Sequence, residues 1–180
     1  MSELNPFAFL LKKPRCSLDR EFYAKAKTFA EIDDPMWLYL LSLVPKGSHS
    51  HASGMARMLR TISPQLKTYF LVRRFSGEWG SGGMEGIFLD DEDWGKWIPE
   101  AIVAFRSLGA VRHAKLIERV VCDAEEAYRS RSEAELDRFS IRFKKLDHEW
   151  EKLAEVEDFF VVVYEDIQRD ATPYLHPAEH

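Results

Sequence analysis

Apolar residues recur at intervals of three and four along most of this chain, and the breaks fall at proline, glycine or serine. Residues 17–32 read as a first helix, with Ser17 as its cap and Phe22, Ala26 and Phe29 on one face. Asp34 and Pro35 restart the chain, and a short, nearly unbroken apolar helix runs to Pro45. A small polar loop is expected over 46–54, then one or two helical turns over 55–62. Ser63 and Pro64 open a strong helix, because a capping serine precedes a proline whose missing N–H costs nothing at the first position. Leu66, Tyr69, Phe70, Leu71, Val72, Phe75 and Trp79 make that helix apolar around much of its circumference, the mark of a central helix. Gly80, Ser81, Gly82 and Gly83 end it.

One helical turn is expected over 84–89, then a run of acids, then a helix led by Pro99 with Ile98, Ala101, Ile102, Phe105 and Leu108 inward. Gly109 suits the stop. The next helix places Val111, Ala114, Ile117, Val121, Ala124 and Tyr128 inward. Ser132 and Glu135 read as a capping box ahead of the stripe Leu136, Phe139, Phe143, Leu146, Trp150 and Leu153. A last helix puts Val156, Phe160, Val163 and Ile167 inward, although its triple valine favours strand locally. The pattern predicts an all-α, single-domain antiparallel multi-helix bundle over 17–170, with an irregular N-terminal arm over 1–16 and a loose C-terminal tail over 171–180.

Hydrophobic residues make up 46% of the 180 residues and aromatics 13%, so the chain has the material for one packed core. No run approaches the ~20 apolar residues of a membrane helix. The apolar patch over 7–11 precedes its basic residues, the reverse of a secretory signal, so cytoplasmic residence is expected. Charge is uneven. Residues 1–83 hold 12 Lys and Arg against 7 Asp and Glu, whereas residues 84–180 hold 13 against 23. The acidic half disfavours nucleic-acid binding and suits a basic protein partner.

Few residues suggest chemistry. The glycines at 80, 82 and 83 follow a helix and lack a Lys-Ser/Thr, unlike a phosphate-binding loop. Asp90, Asp91, Glu92 and Asp93 are adjacent, whereas a calcium loop alternates its ligands around a glycine. His49 and His51 have no acidic or cysteine partner nearby, and Cys16 and Cys122 read as free thiols, so no metal or other cofactor is expected. An enzyme would draw on Glu78, Trp79, Glu85 and Trp94 around the glycine turn, with His113 from the neighbouring helix. The simpler reading has Glu78 pairing with Arg74, the tryptophans packing and His113 on a helix surface.

Glu78, the turn Ser81-Gly82-Gly83-Met84, then Glu100-Ala101-Ile102 and Gly109-Ala110 carry a family likeness. Over residues 60–167 the chain resembles the bacterial DNA mimic protein family, whose members carry a glutamate-rich helix end, an Asn-Gly-Gly-Phe turn and a Glu-Ala-Ile…Gly-Ala helix. Here Ser81 stands for Asn and Met84 for Phe. The resemblance implies an all-helical domain, and one member acts by presenting carboxylates in a DNA-like array to a DNA-binding transcription factor. The expected function is a non-enzymatic interaction module binding a basic or DNA-binding protein. Its candidate carboxylates are Asp90, Asp91, Glu92, Asp93, Glu125, Glu126, Glu157 and Asp158. No direct nucleic-acid or membrane contact is expected, and a homodimer stays open. The alternative is a structural or toxin-neutralising, immunity-like partner protein.

Overall fold

The computed structural model describes residues 18–45, 51–90, 93–130 and 133–175. Eight α-helices account for most of them, and no strand occurs among the described residues: α1 Arg20–Lys25, α2 Ala30–Ser42, α3 His51–Met58, α4 Pro64–Glu85, α5 Trp94–Ser107, α6 Val111–Ser130, α7 Glu133–Ala154 and α8 Phe159–Arg169. A single π-helical turn, Gly86–Asp90, follows α4, and a 3-10 turn, Thr172–Tyr174, follows α8. The protein is all-α, as the periodicity predicts.

Several boundaries differ from the pattern. The helix expected over 17–32 is two helices. Asp19 caps α1 by accepting the Phe22 N–H at 2.8 Å, and the chain turns extended at Ala26. Glu31 then takes the Lys27 N–H at 2.8 Å, so α2 begins beneath its own side-chain contact. Pro35 and Pro99 do not start helices; they lie inside α2 and α5, each at the sixth position. A proline there removes one backbone bond and crowds a carbonyl of the first turn, which has room to tilt. The polar loop expected over 46–54 is helical from His51; residues 46–50 lie outside the described residues, as do Ser132 and the arm over 1–16. The triple valine is helical, because Asp158 accepts the N–H groups of Phe160 (3.1 Å) and Val161 (3.2 Å) and commits the first turn of α8.

The chain divides into two compact units, one taking the described residues up to Phe70 and from Val163 onward, the other Leu71–Val162. In the first, Ser63 caps α4 as expected, accepting the Leu66 N–H at 3.1 Å, and its hydroxyl also donates to the Pro173 carbonyl. Tyr69 donates to Asp33 Oδ1 at 2.7 Å, and Trp37 stacks on Phe70 at 5.1 Å. The tail is tied down through Leu175. Tyr174 is 2% exposed, receives the Tyr23 hydroxyl on its carbonyl at 2.9 Å and donates its own hydroxyl to Asp166 at 2.8 Å. Burial and that carboxylate push the Tyr174 hydroxyl pKa well up.

In the second unit α6 packs against both α5 and α7. Its core is an aromatic cluster. Phe75 lies 4.9 Å from Trp150, 5.6 Å from Phe105 and 6.2 Å from Trp97, and Phe105 meets Phe159 edge-on at 5.0 Å. Each such ring contributes about 1.5–3 kcal/mol by leaving water, with about 0.5–1.5 kcal/mol more per favourable pair. Gly109 at φ 77° ends α5; the Ala110 N–H reaches the Phe105 carbonyl and the Gly109 N–H that of Arg106, each at 3.0 Å. This double bond pattern is the Schellman stop that needs a left-handed residue. The inward face of α6 is rotated from the expected one: His113, Leu116 and Val120 are buried beside Ala114, Ile117 and Ala124, while Val111 is exposed. Likewise Phe159 is buried where Phe160 is expected, and Val156 is 66% exposed because it lies in the turn before α8.

Candidate partner-binding surface

The glycine turn precedes the acidic stretch and has a clear construction. α4 continues through Gly80 and Gly82 and breaks at Gly83, whose φ 63°, ψ −166° belongs to glycine alone. A Cβ there would sit 2.7 Å from Asp147 Oδ2. Asp147, on α7, accepts the Trp79 indole N–H and the Met84 backbone N–H on one oxygen, each at 2.8 Å. The turn is therefore wrapped around a carboxylate, and no side chain fits between. Met84 and Phe88 are fully buried, so the π-turn is anchored up to the acids.

The candidate carboxylates fall into three settings. Asp91, Glu92 and the side chain of Asp90 lie outside the described residues; Asp93 precedes α5 and pairs with Lys96. Glu125 and Glu126 lie on the exposed side of α6. Glu125 pairs with Arg129 at 3.1 Å, and Glu126 lies 3.9 Å from Arg142 of α7. The same guanidinium holds Asp123 at 2.9 Å, and Arg119 spans from α6 to Glu149 of α7 at 2.5 Å. Sequence reasoning passes over Asp123 and Glu149, which only the pairing of α6 with α7 brings into this group. Glu157 and Asp158 occupy the turn between α7 and α8, where Asp158 caps α8.

Glu157 is engaged internally. Its Oε2 is 2.8 Å from His113 Nδ1, and it accepts the backbone N–H groups of Arg112 and His113 at 3.3 Å each. Arg112 Nε adds a weaker contact at 3.6 Å. Glu157 thus caps α6 from another element. Burial pushes its pKa up, but these donors outweigh it and hold the carboxyl below its usual range. His113 is a buried residue, not the surface residue expected. Its ring stacks on Phe105 at 6.0 Å and meets Trp150 (4.5 Å) and Phe159 (5.2 Å) edge-on. Burial holds its imidazole below the ordinary pKa, with Glu157 pulling the other way. Two spacings signal these positions: His113 is four before Ile117 and seven before Val120, and Asp147 is four after Phe143 and three before Trp150.

The would-be catalytic group does not assemble. Glu78 pairs with Arg74 at 2.6 Å, Glu85 accepts from Ser140 at 3.0 Å, Trp79 serves Asp147 and Trp94 packs on Phe88 at 5.3 Å. Cys122 is exposed and free. Among the described residues no cluster of three His, Cys, Asp or Glu is placed to hold a metal ion, and no helix is long and apolar enough to cross a membrane.

Fold and surface together define an all-helical protein built around an aromatic core with its acids on helix faces and turns. Residues 60–175 match the family model described as DMP19-like protein, and the chain belongs to that family. No curated protein and no solved structure matches the chain.

Proposed function

We propose that this protein is a non-enzymatic interaction module that binds a basic, DNA-binding protein through carboxylates on α6 and α7, in the manner of a DNA mimic. Membership of the DMP19-like family supports an interaction role. The observation that carries the choice of surface is Arg142, whose guanidinium lies between Asp123 and Glu126. An acidic pair that receives an arginine from α7 has the chemistry to receive one from a partner. Cross-helix pairs also hold these carboxylates in place, which an array standing in for phosphates requires. Glu157 and Asp158 serve the fold, so the binding group is Asp123, Glu125, Glu126 and Glu149.

The test is capture of partners from the native host on the immobilised full chain, followed by a salt titration. Binding should weaken steeply between low and physiological salt, because exposed charges are screened within ~10 Å at 0.1 M. A Glu125→Lys, Glu126→Lys double variant should lose at least about tenfold in affinity, roughly 1.4 kcal/mol. Capture indifferent to both salt and charge reversal would rule this surface out.

A further inference from the structure

We propose that His113 and Glu157 form an acid-sensitive latch that fastens the turn between α7 and α8 to the first turn of α6. Glu157 is the side chain that ties this turn to α6, making the ring contact at 2.8 Å and both backbone contacts at 3.3 Å. With Glu157 ionised, Nδ1 carries the imidazole proton and Nε2 is left with a lone pair. Nε2 is buried and has no hydrogen-bond partner among the described residues. A second proton arriving there would create a cation whose new N–H has no acceptor. The groups around the ring are few. α5, α7 and α8 present Phe105, Trp150 and Phe159, the turn presents Glu157, and α6 itself presents Arg112, which competes for the same carboxylate. One shared counter-charge in an aromatic cage does not hold a buried cation well. The imidazole therefore takes its second proton only where water reaches it, and that requires the turn to leave.

The sign follows from proton counting. The open form titrates near the ordinary histidine pKa of about 6.5, and the closed form resists protonation. Above that pH the latch has its full strength. Below it the open-to-closed ratio rises by up to tenfold per pH unit, until the pH reaches the pKa of the closed form. The lowered pKa of His113 agrees with this direction.

The experiment is amide exchange by NMR on the full chain from pH 7.5 to 5.0, corrected for the chemical exchange rate. Protection of the Arg112 and His113 amides should fall by about tenfold per pH unit below about pH 6.5. Amides in α4 should keep theirs, which separates latch opening from global unfolding. His113→Asn, which can still donate to Glu157 but cannot titrate, should remove the dependence. The wild-type ring resonance decides independently of whether that variant folds. A midpoint at or above 6.5 with the two amides still protected would mean that the closed site accepts the proton, and the latch would be wrong. A flat protection profile would overturn it equally.

Discussion

Asp147 and Glu157 do the same job with different partners. Each is a carboxylate that ties one backbone segment to another element: Asp147 holds the glycine turn to α7, and Glu157 holds the turn before α8 to α6. Asp147 collects an indole N–H and a backbone N–H, neither of which titrates in the physiological range. Glu157 collects an imidazole, which does. Asp147 also excludes any side chain at Gly83, so its junction is secured by shape as well as by hydrogen bonds. The contrast lies in the donors: the half-buried carboxylate at the glycine turn has none that titrates near neutrality, and the one beside His113 has one that does.

The comparison can be broken most forcefully at Gly83. Gly83→Ala forces a forbidden backbone region and a clash with Asp147, and should cost about 2–4 kcal/mol in urea unfolding. Gly82→Ala, one residue away with open space around it, should be neutral or stabilise by up to about 1 kcal/mol. Equal stability of the two variants would show that Asp147 does not shape the turn. Next, Asp147→Ala strands two donors and should cost about 2–3 kcal/mol. Glu157→Ala leaves the turn unfastened and His113 open to water at either pH, so it should cost about 2 kcal/mol at pH 7.5 and less at pH 5.5. The reason is that wild-type protein is itself losing this contact. The depressed His113 pKa removes stability as the pH falls through about 6.5, and the depressed Glu157 pKa removes more as it falls below about 4.5. A pH-independent difference for Glu157→Ala would erase the distinction between the two carboxylates. Glu157→Gln should lower the His113 midpoint further, since the charge that raises it is gone; a rise on NMR titration would reverse the assigned sign.

Smaller effects sharpen the picture at the edges. Asp158→Ala removes the α8 cap and should cost about 1 kcal/mol. Arg142→Ala should change stability by less than about 1 kcal/mol, since its pairs are largely exposed. If α6 and α7 form the binding face, the same variant should strengthen capture of a basic partner by freeing Asp123 and Glu126. Weakened capture would mean that the arginine itself is part of the contact.

Much of the fold was readable from local rules. The Ser63 cap, the Gly109 stop and the apolar circumference of α4 all behave as their residue types require, because capping and backbone geometry depend on neighbours in the chain. Prolines misled. Pro35 and Pro99 look like helix starts, yet each is carried one turn into a helix, where packing of Met36, Leu40, Ile98 and Ala101 outweighs a lost backbone bond. The site was harder to read. Periodicity identifies the stripe of α6 only to within one residue of rotation, and that one step moves His113 from solvent into the core.

The chain by itself determined that the protein is helical, where most of its helices lie, that the glycine-rich run over 80–83 interrupts one, and that its second half is acid-rich. Those properties follow from residue type and spacing of at most a few positions. Tertiary structure alone decided which carboxylates are spent on the fold and which remain at the surface. Asp147 meets Trp79 across 68 residues and Glu157 meets His113 across 44. A carboxylate has the same character in the sequence whether its donor is an indole, an imidazole or water, and only the packing of distant helices selects among them.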